Sequence, residues 1–275
     1  MNFDLSDEQK MLAEQARGLL AERAPYDRLR ALVDAGAEWD EPLWRELAEM
    51  GFLGARIPEA YGGLGLSDLD LGVISEELGR ANCAVPFFSS IVCTADALTI
   101  AGSEAQKAAW LPLLASGEVV AAFASAEGKD GWRPAKPSVA FADGKLTGSK
   151  SPVADAGIAD VAIVVCAHDE REALALVKLD GAKVTRTKLD SFDELRTHYR
   201  IDFDGADAEL LDGADAAVID GVLNRAAVQA AFEAVGAAEA CVHMGRDYTM
   251  DRQMFGRPLA SYQAIKHKLA DILMA

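Results

Sequence analysis

The chain has 275 residues, 51% of them hydrophobic and 26% charged, with a formal net charge of −17. That length supports a substantial core and two or three lobes, and the hydrophobic content excludes a disordered chain. The negative charge argues against a nucleic-acid partner and against an anionic membrane surface.

The longest apolar runs, near 119–126 and 161–167, are too short to span a bilayer, so no membrane insertion is expected. The start, Met1-Asn-Phe-Asp-Leu-Ser-Asp-Glu8, lacks the basic and apolar regions of a secretory signal, and a cytoplasmic protein is expected. Cys83, Cys93, Cys166 and Cys241 stand singly among apolar residues, the pattern of reduced, buried thiols. His168, His198, His243 and His267 form no metal-spaced pair, so no metal site is expected.

In chain order, residues 1–117 read as an N-terminal α-helical domain. Ser6 with Gln9 makes a capping box ahead of Leu12, Ala16, Leu19 and Leu20. Asp40 opens a helix whose Leu43, Trp44 and Leu47 face inward, with Gly51 as its stop. Ser67 begins another, carrying Leu71, Ile74 and Leu78 at helical spacing and ended by Gly79. The segment 86–100 is helical too, and Ser103 with Gln106 caps a helix running to Gly117.

Residues 118–210 change period and read as a middle β domain. Strands are predicted over 119–125, 145–150, 161–167, 173–177, 183–186 and 198–203, punctuated by Asp143-Gly144 and Asp180-Gly181. Short strands at this spacing suggest a small β-barrel or orthogonally packed sheets. Residues 211–275 return to helix, with Val218, Ile219, Val222 and Leu223 followed by small residues from Ala226 to Ala240 that let helix axes approach closely. The fold class expected is α+β: helical domain, β-barrel-like domain, helical bundle. The chain stops in a helical run at Ala275 without a stop signal, so the bundle is expected to be incomplete in this chain.

Two strings carry a resemblance. Arg252-Gln-Met-Phe-Gly-Arg-Pro-Leu-Ala-Ser-Tyr-Gln263 places an Arg, an aromatic, a chain reversal and a Gln at fixed offsets; Ile57-Pro-Glu-Ala-Tyr-Gly-Gly-Leu-Gly-Leu-Ser67 is a Gly-rich loop between helices. Together they resemble the R-x-x-F-G-(K/R)-P and I-P-E-x-Y-G-G-x-G motifs of the acyl-CoA dehydrogenase family, and the likeness runs from Phe3 to the end of the chain. The resemblance implies FAD as cofactor, an acyl-CoA substrate and an oligomer, a tetramer in the family, with electron-transfer flavoprotein as a possible electron acceptor. It also implies that Arg252, Phe255 and Gln263 meet the FAD of a neighbouring subunit. A guanidinium fork suits a pyrophosphate and an amide can pair with an adenine edge.

The departures are as informative. The family's flavin strand, (F/Y)-x-x-T-E-P-x-A-G-S-D, is here Phe123-Ala-Ser-Ala-Glu-Gly-Lys-Asp-Gly-Trp132, with Ala126 in place of the Thr, Ser125 left to contribute backbone groups, and no clear counterpart of A-G-S-D in 129–133. In the second flavin segment Pro152 replaces a Trp and Ala154 a hydroxyl residue. The family's catalytic Glu lies beyond the Arg252 corner or one helix earlier, near Ala226; no catalytic residue is assigned, and Glu233 and Glu239 are candidates by residue type alone. The pattern is similar to the degenerate subunit of heteromeric acyl-CoA dehydrogenases acting on bulky, sterol-like substrates. Three readings stay open: a subunit sharing flavin and base with a partner or a further segment, an ordinary homotetramer, and a non-catalytic structural subunit without its own flavin.

Overall fold

The computed structural model describes residues 4–128, 131–134 and 136–274. Phe3, Lys129, Asp130 and Ala275, which entered the sequence comparison, lie outside the described residues. The helices are α1 (Asp7–Arg23), α2 (Tyr26–Asp34), α3 (Glu41–Glu49), α4 (Asp68–Arg80), α5 (Asp96–Ala101), α6 (Glu104–Ala115), α7 (Ala216–Asp251) and α8 (Gln263–Met274). The strands are β1 (Ala121–Ala124), β2 (Ala140–Ala142), β3 (Lys145–Ala154), β4 (Val161–His168), β5 (Arg171–Lys178), β6 (Val184–Lys188), β7 (His198–Leu210), β8 (Gln253–Met254) and β9 (Arg257–Pro258). By compactness the chain divides into a larger unit, 26–71 with 83–229, and a smaller one, 1–25 with 72–82 and 230–275.

In the larger unit, Asp40 caps α3 by accepting the Leu43 N–H at 3.1 Å, and its buried carboxylate is held by both prongs of Arg28. Leu43, Trp44 and Leu47 are buried beneath it, and the Trp44 indole donates to Gly117 O at 3.1 Å. The Ser103–Gln106 capping box at α6 forms as expected. The segment 86–100 is helical, but Phe88–Ala95 is π-helical before α5 begins. Side-chain hydroxyls explain its seat: Ser90 and Thr94 donate to the carbonyls of Ala121 and Ala122, on the first rungs of β1. Neither α2 nor the short β2 was anticipated from the sequence.

The sheet closes on itself. β4 pairs with β5, β5 with β7, β7 with β3, β3 with β2, and β2 returns to β4 through the Ala140–Ala167 pair. β1 adds to β4 in parallel and β6 to β7. The Asp143–Gly144 turn has both residues at positive φ, as a two-residue hairpin with right-handed strand twist requires. Leu146, Ile163, Val165, Leu174 and Ile201 fill the barrel core with no exposed surface. The result is the α+β architecture expected.

In the smaller unit, the Ser6–Gln9 capping box starts α1. Gly79 does not stop its helix; α4 continues to Arg80, and Gly79 instead meets the backbone of Glu233 on α7 so closely that a Cβ would lie 2.0 Å from its carbonyl oxygen. The expectation of four buried thiols also needs correction. Cys93 and Cys166 are buried, Cys83 is half-buried and Cys241 is exposed on α7; none of the four forms a disulfide. The reason is that the Ala-rich face of α7 carries Cys241 outward, where small apolar neighbours in the sequence do not imply burial.

Candidate functional site

Within the larger unit lies an apolar pocket of about 420 Å³. Its floor is built where β1 ends and β3 passes: Ser125 and Ala126 lie beside Pro152 and Ala154. Backbone pairing explains the juxtaposition, because the Ser151 N–H donates to Ala126 O at 2.9 Å. A buried ion pair reinforces it. Lys150, fully buried, donates from Nζ to Ser125 O at 3.1 Å and to Glu127 Oε1 at 2.5 Å, and Glu127 also accepts the Ser138 N–H. Burial pushes the Glu127 carboxyl up, but hydrogen bonds from Lys150 and Ser138 outweigh it and hold the group below its ordinary value. Burial pulls the Lys150 ammonium down, and Glu127 offsets part of that.

One wall comes from the π-helical stretch, through Phe88, Ser89 and Cys93. Ser89 donates to Asp155 Oδ2 at 2.6 Å, which anchors this wall to the end of β3. The Cys93 thiol is pushed up to about 12 by burial, so it acts as a small apolar group and not as a nucleophile. The opposite wall is the start of α7, with Leu223, Ala226 and Ala227. That helix is held by Arg225, which donates to the buried Asp96 at 2.9 Å, and by Gln229, whose amide donates to Asp68 O at 2.9 Å. Phe123, Trp132 and His198 complete the lining.

The pocket therefore gathers residues far apart in sequence. Ser125, Ala126, Pro152, Ala154 and Ala226, the positions singled out from the sequence, all face one cavity. Among the described lining residues there is no carboxylate. Glu239 is in the smaller unit, where Arg80 donates to it at 2.6 Å and holds it below its ordinary value. Glu233 is in the smaller unit as well, with its backbone against Gly79. Neither is a pocket residue. Sequence reasoning missed Ser89, Cys93 and His198, which no local motif marks, since strand register and helix packing bring them in; Trp132 ends the flavin-strand string but has no role assigned there.

Arg252, Phe255 and Gln263 belong to the smaller unit, at the corner between α7 and α8. The corner is a tight hairpin of β8 and β9, turning through Phe255 and Gly256, both at positive φ. The Arg252 carbonyl accepts the Leu259 N–H at 2.8 Å, Tyr262 donates to Met254 O at 3.0 Å, and the Arg257 guanidinium stacks 3.9 Å above the Tyr262 ring. Arg252 and Gln263 are exposed and Phe255 is 91% exposed, so the fold holds them by backbone and leaves their side chains outward.

Models of the acyl-CoA dehydrogenase N-terminal and C-terminal domains match residues 6–118 and 216–275. Acyl-CoA dehydrogenase IpdE2 of Mycobacterium tuberculosis is 28% identical over 267 residues, 97% of this chain and 71% of that protein. Among solved structures, a variant of the Tcur3481–Tcur3483 steroid ACAD superposes with a TM-score of 0.88 at 30% identity, covering 98% of this chain and 73% of that one. The ChsE4–ChsE5 complex from Mycobacterium tuberculosis superposes with a TM-score of 0.90 at 25% identity, covering 98% and 74%. The chain belongs to the acyl-CoA dehydrogenase family, whose members are FAD-dependent oxidoreductases.

The pocket fits the flat, mostly apolar body of a flavin ring. Alanine at 126, 154, 226 and 227 leaves the space open, Phe123 and Pro152 give apolar surfaces, and Ser89, Ser125 and His198 put polar atoms in the lining. Among the described residues, no group of His, Cys, Asp and Glu could hold a metal ion, and no helix is long and apolar enough to cross a membrane.

Proposed function

We propose that this chain is a subunit of an FAD-dependent acyl-CoA dehydrogenase that removes hydrogens α and β to a thioester, and that it shares flavin and base with a second chain of the same fold. The observation that carries this reading is the pocket itself, where 126, 152, 154 and 226 converge on one apolar cavity, and at these four positions the hydroxyls, aromatic platform and carboxylate of the family motifs are missing. Bound FAD would accept the hydride; the α-proton would go to a base that these walls do not supply. Ser125 and the apolar floor would hold the ring of a flavin, and the walls from the π-helical stretch and α7 would exclude water from it. Arg252, Phe255 and Gln263, exposed at their corner, would reach the FAD of the neighbouring chain, as the family motif implies. A bulky, ring-bearing acyl group is supported by the likeness to a steroid ACAD. A heteromeric partner is supported by the likeness to the ChsE4–ChsE5 complex.

The test is flavin content. The chain expressed alone should retain little FAD through purification, and co-expression with a partner dehydrogenase chain should yield a yellow complex. In that complex Arg252→Ala should weaken FAD retention by about one to two powers of ten, the loss of one charge-assisted contact of roughly 1.5–3 kcal/mol. Arg252→Lys should recover part of it, because a point charge lacks the two-pronged geometry. Unchanged FAD with a lowered melting temperature would make Arg252 a structural residue. The carboxylate-free lining favours one further reading, a non-catalytic structural subunit; a complex that turns over acyl-CoA only when this chain is present would exclude it.

A further inference from the structure

Across β3 and β7, Ala154 and His198 are register partners, so a small methyl and an imidazole sit side by side, and both line the pocket. The next rung is fixed. The Asp155 N–H donates to Thr197 O at 2.9 Å, and Ser89 donates to the Asp155 carboxylate at 2.6 Å, tying this end of the sheet to the π-helical wall. On its other side the His198 carbonyl accepts the Leu189 N–H at 2.9 Å. The backbone of His198 is thus committed on both strands, while its ring nitrogens have no hydrogen-bond partner among the described residues. His168, by comparison, places Nδ1 at 3.3 Å from Phe141 O.

Ala154 is the position where the family motif has a hydroxyl facing the flavin. A methyl there frees space without offering a polar atom, and the neighbouring imidazole can fill both needs, since it carries one donor and one acceptor when neutral. We propose that His198 is a cofactor-contacting residue that supplies the hydrogen bond to the flavin ring that Ala154 cannot. This rests on the flavin reading of the pocket given above. It adds a residue that no family motif marks, and it makes the loss of the hydroxyl a relocation of the polar contact to the next strand.

The probe is FAD itself, titrated against the purified full chain and followed by quenching of flavin fluorescence and by the shift of its visible bands. Wild type should show saturable binding, weak enough that the chain expressed alone loses its FAD during purification but measurable when FAD is supplied in excess. His198→Ala should weaken it about tenfold and move the visible bands toward those of free flavin, the cost expected for one lost buried hydrogen bond. His198→Gln keeps a donor and an acceptor at similar reach and should stay within about threefold of wild type. Adding Ala154→Ser to His198→Ala should recover a good part of the loss, which a purely structural role for the imidazole would not allow. Circular dichroism melts accompany each variant, and His198→Gln keeps the test decisive if His198→Ala fails to fold. Saturable wild-type binding with an unchanged constant in His198→Ala and His198→Gln would overturn the role of His198 alone. No saturable binding by wild type at any FAD concentration would instead remove the flavin reading of the pocket, and this inference with it.

Discussion

Thr197 holds the one buried side-chain polar atom among the described residues without a hydrogen-bond partner, its Oγ1. A desolvated hydroxyl with no partner costs stability, so Thr197→Val, which keeps the shape, should be neutral or stabilising by up to about 1 kcal/mol in a urea melt. A loss above about 1 kcal/mol would mean that the hydroxyl has found a partner in solution. Glu127 behaves oppositely. Its carboxyl is held below the ordinary value of 4.5 by Lys150 and Ser138 against the pull of burial. A depressed folded value means that its stabilisation is present above the ordinary carboxylate range and is lost as pH falls through the folded value. Glu127→Gln should therefore lower stability at neutral pH and flatten the acid limb below about pH 4.5. A parallel shift of the whole pH profile would show that titration of Glu127 contributes nothing to it.

At the scale of elements, two glycines decide how α4 and α7 meet in the smaller unit. A Cβ at Gly236 would lie 1.9 Å from Glu76 O, and one at Gly79 would lie 2.0 Å from Glu233 O. Such overlap with backbone cannot be relieved by a rotamer change, so Gly236→Ala should destabilise by about 2 kcal/mol or more despite its better helix propensity. Gly245, on the same helix, is a control: its nearest neighbour would be Leu269 Cδ2 at 3.6 Å, and Gly245→Ala should gain about 0.5–1 kcal/mol. Equal effects at the two sites would refute the close-packing account. The sequence carried the close approach in its run of small residues after Ala226, but read Gly79 as a stop because a glycine near a helix end looks the same whether it caps or packs. Capping boxes, the Asp40 helix and most strands were legible because their signals are local. Barrel closure through a single β2–β4 pair, the π-helical stretch and the Ala154–His198 rung were not, because each depends on partners far away along the chain. The candidate site followed the same rule: Ser125, Ala126, Pro152 and Ala154 stand in motif strings and Ala226 is reached by counting back from Arg252, while Ser89 and His198 come from packing.

For the molecule as a whole, charge and apolar surface pull in opposite directions. A net charge of −17 opposes self-association, yet the smaller unit exposes Val235, Met244, Tyr248, Phe255, Ile272, Leu273 and Met274. Phe255 is the most telling of these, because it is 91% exposed and sits at φ 50, in the left-handed region where a bulky residue costs roughly 1–2 kcal/mol. On the proposed reading, this exposed and strained aromatic serves contact with another chain, which the oligomeric state tests. The full chain at micromolar concentration should therefore elute above monomer mass in chromatography with light scattering, and more so at raised salt, where the mutual repulsion is screened. Phe255→Gly separates assembly from folding: the turn loses its strain, so the melting temperature should hold or rise, while the association constant should fall by about tenfold or more. A monomer in both proteins at every salt concentration would sink the assembly reading, and a Phe255→Gly chain that melts lower yet associates as before would make Phe255 a residue of its own fold.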